Sequence, residues 1–297
     1  MDSIISELQK KDTIQSYKNK KLEAEKVSYL YSYSEKKQEK ISDCSITLWR
    51  EDWQHVSTEE KKEKYSSNNC QLRFCPVCSW RKALKSSAVL YSNLSDFKNV
   101  TFLFLTLTLK NCQLEDLKDT LKHLSESFIR LKRKDEWKKI VKGYIRALEV
   151  TISDDGSIHP HFHILIQVPK SYGKNSGYYL TQSQLTDIWQ DCLNVDYKPI
   201  IDIRNIKSKN NNENSLIAAV CETVKYTLKS SDLLKMNEDS FPLLDLSMKG
   251  IKTLNCGGSL LHCLKVIKKD ELLEDDEWVL IGRELFKWQN GDYTYVR

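Results

Sequence analysis

Three histidines alternate with apolar residues in the segment 159–166, which reads HPHFHILI. Alternation with a period of two is typical of a half-buried β-strand, whose successive side chains point to opposite faces. The histidines therefore share one face of the strand, and the apolar side chains lie on the other. Because imidazoles two residues apart on a strand can converge on one ion, this face predicts a metal site. Its expected ligands are His161 and His163, with His159 as an alternative.

A carboxylate lies one predicted hairpin upstream of these histidines. Residues 144–151 (YIRALEVT) have the composition of a strand, and residues 153–157 (SDDGS) have that of a hairpin turn. Pairing about this turn sets Glu149 opposite His161 and His163, within cross-strand reach. The sequence thus predicts a site of two histidines and one carboxylate with open coordination positions. The alternative is that Glu149 is an ordinary charge on the solvated face of an antiparallel sheet.

A second set of metal-ligating residues is built from cysteines. Cys70, Cys75 and Cys78 occur in the segment CQLRFCPVC, where the proline pre-shapes the turn of a Cys-x-x-Cys pair. Three thiolates at this spacing predict a structural zinc site, which requires a fourth ligand. Cys44 is the best candidate for that ligand, and His55 is a weaker one. The alternatives are small buried thiols or a redox-active pair.

The residues after the cysteines predict a basic helix. The segment 81–94 (RKALKSSAVLYSNL) has apolar residues at helical spacing, and Arg81, Lys82 and Lys85 lie near its start. Such a helix, held in place by zinc, could lay these cations along a DNA phosphate backbone. It could equally be a scaffold helix with a solvated face.

A further set of reactive groups occurs in the segment 215–229 (SLIAAVCETVKYTLK), whose leucines and valines predict an amphipathic helix. Glu222 and Tyr226 are four residues apart on one face, and Lys225 and Lys229 lie near the tyrosine. A tyrosine in this setting can act as a nucleophile that attacks a phosphodiester and retains one side as a phosphotyrosine. The lysines favour the phenolate, and the carboxylate can later act as a general base. The alternative is an exposed tyrosine on an amphipathic helix.

The elements that must position these groups alternate along the chain. Residues 99–110 predict a strand at the centre of a sheet, and residues 113–140 predict an amphipathic helix. Thr181 begins another helix, and residues 198–206 predict a further strand. This order predicts an α+β fold in which a central antiparallel sheet is flanked by helices and preceded by a small Cys-rich module.

Composition limits the class of protein. The chain has 297 residues, of which 40% are hydrophobic, so it can bury a large core as one elaborate domain or two. A net charge of +5 permits nucleic-acid binding without requiring it. The sequence has no membrane-length apolar run and no signal-peptide pattern, so we expect a cytoplasmic protein that does not enter a membrane. In that compartment, nine cysteines are expected to be reduced thiols and metal ligands.

Taken together, these motifs resemble those of the plasmid rolling-circle replication initiators (Rep proteins). Within the HUH endonuclease superfamily, named for its His-hydrophobic-His motif, the likeness is to the single-tyrosine Glu-x-x-x-Tyr type. The matching segments stand in the family's order: 70–83 with the cysteines, 104–111 (FLTLTLKN), 159–166 with the histidines, 195–204 (VDYKPIIDIR) and 222–229 (ETVKYTLK). The likeness covers most of residues 44–265.

The resemblance implies a ferredoxin-like HUH nicking domain in which His161 and His163 bind Mg²⁺ or Mn²⁺. Imidazoles usually suit softer metals, so the carboxylate of Glu149 is needed for such a hard ion. By residue matching, Tyr226 nicks one strand at the replication origin, stays on the 5′ phosphate and leaves a 3′ hydroxyl. Glu222 then activates water to end a round. The implied activity is that of a metal-dependent, site-specific single-strand DNA endonuclease and strand transferase.

The resemblance also implies partners, and the sequence itself suggests a division of the chain by role. The partners are plasmid origin DNA, single-stranded or in a hairpin, together with a host helicase and DNA polymerase. We expect residues 1–43 to form a charged N-terminal arm or solvated helix, and residues 44–98 a zinc module with a basic helix. Residues 99–230 are expected to form the nicking domain. Residues 231–297 are expected to pack against it or to contact a partner or a second copy in a homodimer.

Two alternatives belong to other classes of protein. A histidine-triad nucleotide hydrolase would use a histidine as its covalent nucleophile, but this assignment leaves the cysteines, Glu222 and Tyr226 without a role. A non-catalytic zinc DNA-binding regulator would use the cysteine module and its basic helix. Such a regulator would nick no DNA and would keep origin binding after Tyr226→Phe.

Overall fold

The computed structural model describes residues 12–94, 97, 99–173, 175–206, 214–225, 227–265 and 278–296. It contains two antiparallel sheets flanked by helices, so the predicted α+β class is confirmed. The chain forms two compact units, one made of residues 1–88 with 265–297 and the other of residues 89–264. The four-part division by role stays a prediction.

Nine strands occur in the described residues: β1 (Thr47–His55), β2 (Lys61–Ser67), β3 (Val100–Thr108), β4 (Gly143–Ile152), β5 (Ile158–Pro169), β6 (Ile201–Asn205), β7 (Leu254–Gly258), β8 (Trp278–Gln289) and β9 (Asp292–Val296). The helices of the same residues are α1 (Ile14–Val27), α2 (Glu35–Ser42), α3 (Pro76–Leu94), α4 (Leu117–Arg133), α5 (Asp135–Ile140), α6 (Gln182–Leu193), α7 (Asn214–Thr223), α8 (Ser230–Leu233) and α9 (Phe241–Ser247). Over these ranges, no helix combines the length and the apolar character that a bilayer crossing requires.

The second unit is built on a five-stranded sheet with the spatial order β6-β3-β5-β4-β7. Its central hairpin, β4 and β5, closes through a turn in which Ser153 N–H donates to the Ser157 carbonyl at 2.9 Å. Gly156 takes a φ of +80°, a left-handed conformation that glycine adopts without steric cost. The turn fixes the register, and Glu149 pairs directly with His161 as the sequence predicts.

Helices cover both faces of this sheet. On one face, α4 buries its leucines, and Phe128 packs edge-on against Phe162 with the ring centroids 5.8 Å apart. On the other face, Leu165 of β5 joins a buried cluster with Val220 and Val224 from the region of α7. The histidines alternate with Phe162 along β5, so they lie on the face that α7 covers.

Two predicted helices differ from those in the structure. The helix expected over residues 113–140 is divided into α4 and α5, because Lys134 takes an extended conformation with ψ 139°. The helix expected over residues 215–229 ends at Thr223, so Lys225 and Lys229 do not follow on the same helix. The chain leaves the helix there because Thr227 turns toward β4, where its carbonyl accepts a hydrogen bond from Val150 N–H at 2.7 Å.

The first unit contains a four-stranded sheet, with the order β2-β1-β8-β9, that the sequence analysis does not predict. β1 pairs with β8 along its full length, so residues from near the two ends of the sequence form the centre of this sheet. α1 buries Tyr17, Lys21, Ala24 and Val27. Residues Ile14–Val27 are therefore helical, with one face in the core.

Candidate metal centres and active site

Glu149, His161 and His163 form a compact group on adjacent strands. The Nε2 atom of His163 lies 2.7 Å from Glu149 Oε2, and that of His161 lies 3.3 Å from the same oxygen. The two Nε2 atoms are 3.2 Å apart. All three residues are buried. Among the described residues, the group with all ligand atoms within 4.8 Å does not include His159.

Hydrogen bonds on the far side of each ring orient the two imidazoles. His161 Nδ1 lies 3.2 Å from the His159 carbonyl, which can only accept, so Nδ1 carries a proton and Nε2 is the ring nitrogen available to a metal ion. His163 Nδ1 lies 3.2 Å from Thr106 Oγ1 on the neighbouring strand β3. Such second partners fix the tautomer and orientation of metal-ligating histidines. The pairing of Thr106 with His163 across β3 and β5 places the hydroxyl there.

The spacing of the three ligand atoms fits one hexacoordinate cation. Their separations are 2.7, 3.2 and 3.3 Å. An octahedron with metal–ligand distances of about 2.1 Å has edges of about 3.0 Å. Two histidines and a carboxylate on one side of an ion leave its remaining positions open to water or to an oxygen of a substrate. The donor set therefore suits a divalent cation that binds substrate.

Lys225 links this group to Glu222. Its Nζ atom lies 2.9 Å from Glu149 Oε2 and 2.5 Å from Glu222 Oε1. Burial opposes ionisation of Glu149, but hydrogen bonds from the two histidines and from Lys225 outweigh it and hold the pKa of this carboxyl well below its usual range. Burial would lower the pKa of Lys225, but its two carboxylate partners raise it. The site thus keeps an ionised carboxylate beside an ammonium.

Tyr226, the expected nucleophile, lies outside the described residues. Its chain neighbours on both sides are held against β4. Lys225 contacts Glu149 through its ammonium, and the Thr227 carbonyl accepts from Val150 N–H. The contacts of Lys225 and Thr227 therefore fall on consecutive residues of the strand that supplies the carboxylate.

Four cysteine sulfurs form the second group in the first unit. Cys44 Sγ lies 3.6 Å from Cys75 Sγ and from Cys78 Sγ, and Cys70 Sγ lies 3.6 Å from Cys78 Sγ. A tetrahedron with Zn–S distances of about 2.3 Å has edges of about 3.8 Å between its sulfurs. These separations exceed any disulfide bond length, and all four cysteines are free. The arrangement fits a closed four-thiolate site that includes Cys44, and His55 is not part of this group.

Backbone N–H groups point to two of the four sulfurs. Cys70 N–H donates to Cys44 Sγ at 3.4 Å, and Gln71 N–H donates to Cys78 Sγ at 3.3 Å. Hydrogen bonds among the four sulfurs lower the pKa values of Cys70 and Cys78 and raise those of Cys44 and Cys75. Lys21 is buried close to this group and donates to the Ser42 carbonyl at 2.5 Å.

Lys21 is a residue that the sequence analysis misses. Burial lowers its pKa, and the nearby Glu25, Cys44 and Cys75 oppose that effect. A zinc ion with four thiolates carries net negative charge, which a buried ammonium can offset. The sequence does contain a pattern that indicates its burial. Lys21 has helical spacing with the apolar residues Tyr17, Ala24 and Val27, which puts the lysine on the buried face of α1.

The cations predicted to contact DNA lie in different environments. Arg81 donates from Nη1 to both carboxylate oxygens of Asp12, at 2.6 and 2.7 Å, and from Nη2 to the Tyr65 carbonyl at 3.2 Å. The side chains of Lys82, Lys85 and Lys229 are exposed. Their DNA contacts stay predictions.

Comparisons with known proteins agree on one family. Residues 61–296 match a family model described as "Replication protein". A "Protein rep" of Lactiplantibacillus plantarum is 35% identical over 248 residues, which cover 80% of this chain and 73% of that protein. A "Protein rep" of Lentilactobacillus hilgardii is 31% identical over 277 residues, covering 90% and 85%. One of Staphylococcus aureus is 34% identical over 200 residues, covering 65% and 82%. No solved structure matches the chain.

Proposed function

The chain belongs to the Replication protein family, and on that premise we propose that it initiates plasmid rolling-circle replication by nicking one strand of the origin. The resemblance to Rep initiators drawn from the motifs is confirmed at the level of the family. The proposal adds the reaction: a metal-dependent cleavage that leaves the protein covalently attached to DNA through Tyr226.

The placement of the residues around Tyr226 carries this proposal. Lys225 reaches Glu149 at 2.9 Å, and Thr227 is hydrogen-bonded to Val150 at 2.7 Å. Both contacts lie at the strand segment that faces His161. The residues on either side of Tyr226 in the sequence therefore both contact the strand that supplies the carboxylate of the two-histidine, one-carboxylate site.

The chemistry assigned to these groups is a transesterification. The Tyr226 hydroxyl attacks a phosphodiester, the new bond joins its oxygen to phosphorus, and the bond from phosphorus to the 3′ oxygen breaks. The protein then holds the 5′ phosphate, and the freed 3′ hydroxyl serves as a primer. Mg²⁺ or Mn²⁺ held by Glu149, His161 and His163 would stabilise the charge that develops on the phosphate.

Two neighbouring groups assist the tyrosine in this proposal. A free phenol titrates at about 10, so its anion is scarce near neutral pH. The ammonium of Lys225, adjacent in sequence, favours that anion. Glu222, whose side chain is 48% exposed, acts later as the general base for the water or hydroxyl that releases the adduct. A host helicase and polymerase would extend the primer.

In this proposal, the zinc ion bound by the four cysteines has a structural role. The four-cysteine group lies in the first unit, whereas the histidines and Glu149 lie in the second. Four thiolates leave no open position for substrate, which is typical of structural rather than catalytic sites. We assign Zn²⁺ to Cys44, Cys70, Cys75 and Cys78 and the catalytic ion to the other group.

A nicking assay tests the reaction. Supercoiled plasmid bearing the cognate origin is mixed with the full chain and Mn²⁺, and nicked circles and protein-linked DNA are measured. Tyr226→Phe should abolish both products, and His161→Ala or His163→Ala should leave little of either. Glu222→Gln should nick but fail to release. Tyr295→Phe, which changes an exposed tyrosine of the first unit, is the matched control and should nick like the wild type.

Three results would reject the proposal in different ways. Nicking that survives Tyr226→Phe would exclude the assigned nucleophile. A nucleotide attached to a histidine would indicate the histidine-triad chemistry instead. Origin binding by the wild-type chain, with no nicking in the presence of Mn²⁺, would indicate a non-catalytic regulator.

A further inference from the structure

One face of the four-stranded sheet carries three tryptophans. Directly paired residues of an antiparallel ladder project to the same face. Trp53 pairs with Lys62 on β2 and with Leu280 on β8. His55, two residues after Trp53 on β1, pairs with Trp278 on β8. Trp49, four residues before Trp53 on β1, projects to the same side. We call this side, with Trp49, Trp53 and Trp278, the tryptophan face.

Observed contacts confirm which side chains share this face. The Lys62 ammonium lies 3.4 Å from the centroid of the Trp278 ring, a cation–π distance. The His55 ring meets the same indole edge-on at 5.1 Å. The three indoles are partly exposed, and Leu280 between them is 39% exposed.

The helices of the first unit pack on the opposite face. Tyr65 of β2 meets Tyr17 of α1 with ring centroids 6.2 Å apart. Trp288 of β8 donates from its indole nitrogen to Glu25 of α1 at 2.5 Å. Tyr65 lies on the side of β2 opposite to Lys62 and Lys64, so α1 lies on the side away from the tryptophan face.

Charge is distributed unequally between the two faces. On β1, β2 and β8, the tryptophan face carries the single carboxylate Glu51 against four cations, a net of +3; the cations are Lys62, Lys64, Arg283 and Lys287. On β9, Asp292 pairs with Gln289 and is bound by Lys18 of α1 at 2.7 Å. On the helix face, Arg50 is paired with Asp52 at 3.3 Å and with Glu284 at 3.1 Å. Glu51 contacts Arg283 at 2.6 Å. The exposed face therefore has an excess of positive charge and three aromatic rings.

We propose that the tryptophan face binds single-stranded DNA. Proteins that bind single strands without sequence preference combine cations that follow the backbone with aromatic rings on which bases stack. Duplex DNA keeps its bases stacked on one another and offers no free ring to an indole. This proposal rests on the proposed function, because nicking and displacement at an origin produce a single strand. The single-stranded DNA would then bind to a surface whose residues are separate in sequence from the proposed catalytic residues.

A binding assay without origin sequence or added Mn²⁺ tests the proposal separately from nicking. Fluorescein-labelled oligo(dT) is titrated with the full zinc-loaded chain over a range of salt concentrations, and anisotropy is measured. Trp53→Ala should weaken binding by about 5- to 150-fold if one base stacks on it. Lys64→Gln with Lys287→Gln should reduce the slope of log affinity against log salt by about 1.4, the value for two phosphate contacts.

The control is matched in charge and location. Lys61 lies on β2 beside Lys62 but projects to the helix face, since it pairs with Gln54. Lys26 is an exposed lysine of α1. The double variant Lys26→Gln and Lys61→Gln removes the same charge from the same unit. It should leave the affinity and the salt slope close to those of the wild type.

Photo-crosslinking locates the contact. Iodouracil-substituted single strands should crosslink to peptides that contain Trp49, Trp53 or Trp278. Crosslinks confined to residues 89–264, or equal losses in the control and the tested double variant, would overturn the proposal. So would equal affinity for duplex DNA, or a chain that self-associates through these residues and binds no oligo(dT). A chain that binds oligo(dT) as expected but does not nick would reject the proposed reaction and leave this proposal standing.

Discussion

The imidazoles of His161 and His163 are each oriented by an oxygen atom next to Nδ1. Thr106 Oγ1 lies 3.2 Å from His163 Nδ1, whereas the hydroxyl of Thr108, two residues along the same strand, donates to the Ile200 carbonyl at 2.6 Å. Thr106→Val removes the orienting partner and keeps the shape. It should weaken Mn²⁺ binding by roughly tenfold, the lower end of the usual cost of losing such a partner.

Titration of Mn²⁺ by calorimetry or electron paramagnetic resonance measures that change. Thr108→Val is the matched control, because its hydroxyl makes no contact with His163, and it should bind Mn²⁺ like the wild type. Equal affinities for all three proteins would show that the hydroxyl does not position the ring.

Lys225 is expected to have opposite effects on metal binding and on nicking. Its ammonium lies 2.9 Å from the carboxylate that is assigned to the ion, so it competes with the cation for that charge. Lys225→Met should therefore bind Mn²⁺ more tightly than the wild type. Nicking should fall, since the phenolate of the adjacent Tyr226 loses a stabilising charge. Weaker Mn²⁺ binding in this variant would show that the lysine supports the metal site instead.

At the scale of elements, the cysteine group connects the start of β1 with the start of α3. Cys44 precedes β1, and Cys75 and Cys78 lie at the N-terminal end of α3. Cys75→Ser with Cys78→Ser should release zinc and raise amide exchange over residues 44–81, because structural zinc contributes directly to folding. Exchange in β4 and β5 should stay slow.

Hydrogen exchange read by mass spectrometry distinguishes these regions. Cys221→Ser, which changes a free cysteine outside the four-sulfur group, is the control. Unchanged exchange over residues 44–81 in the double variant would reject a structural role for zinc. Faster exchange in β4 would mean that zinc supports the second unit as well.

The sequence predicts elements well where local pattern and tertiary structure agree. The hairpin of β4 and β5 is such a case, since alternation and the Asp-Gly turn specify the register that brings Glu149 to His161. The end of α7 is the opposite case. Residues 215–229 keep helical spacing past Thr223, but the hydrogen bond from Val150 to Thr227 draws the chain out of the helix. A hydrogen bond between segments far apart in the sequence cannot be predicted from the residues around either of them.

The missed sheet has a related cause. β2 reads KKEKYSS, a charged segment with one buried residue, Tyr65, so periodicity gives no signal of a strand. β1 carries polar residues on both faces, and its partner β8 comes from the far end of the sequence. Such pairing becomes visible only when the whole chain is folded.

For the molecule as a whole, buried phenols predict sensitivity of the first unit to alkali. Burial raises the pKa of Tyr293 to about 12, and it also raises the pKa values of Tyr17 and Tyr65. An unfolded tyrosine titrates at about 10. A raised pKa stabilises the folded protein below pH of about 10, and this contribution is lost as pH rises through about 12.

Absorbance of ionised tyrosine and circular dichroism, followed from neutral to alkaline pH, test this expectation. Phenol ionisation and loss of β-structure should coincide in the wild type. Tyr293→Phe removes one of the titrating groups together with its 2.6 Å bond to the Ser45 carbonyl, and its alkaline transition should be shallower. Tyr295→Phe, at a side chain 56% exposed, is the control. A transition that does not change with Tyr293 would contradict the assignment.

The pairing of β1 with β8 has a consequence for synthesis on the ribosome. The nascent chain can complete residues 89–264, with β4 and β5, before β8 has emerged from the exit tunnel. The sheet with the cysteine module closes only after β8 has been synthesised and can reach β1. A chain that stops before β8 would therefore carry the two-histidine, one-carboxylate group without a finished four-stranded sheet.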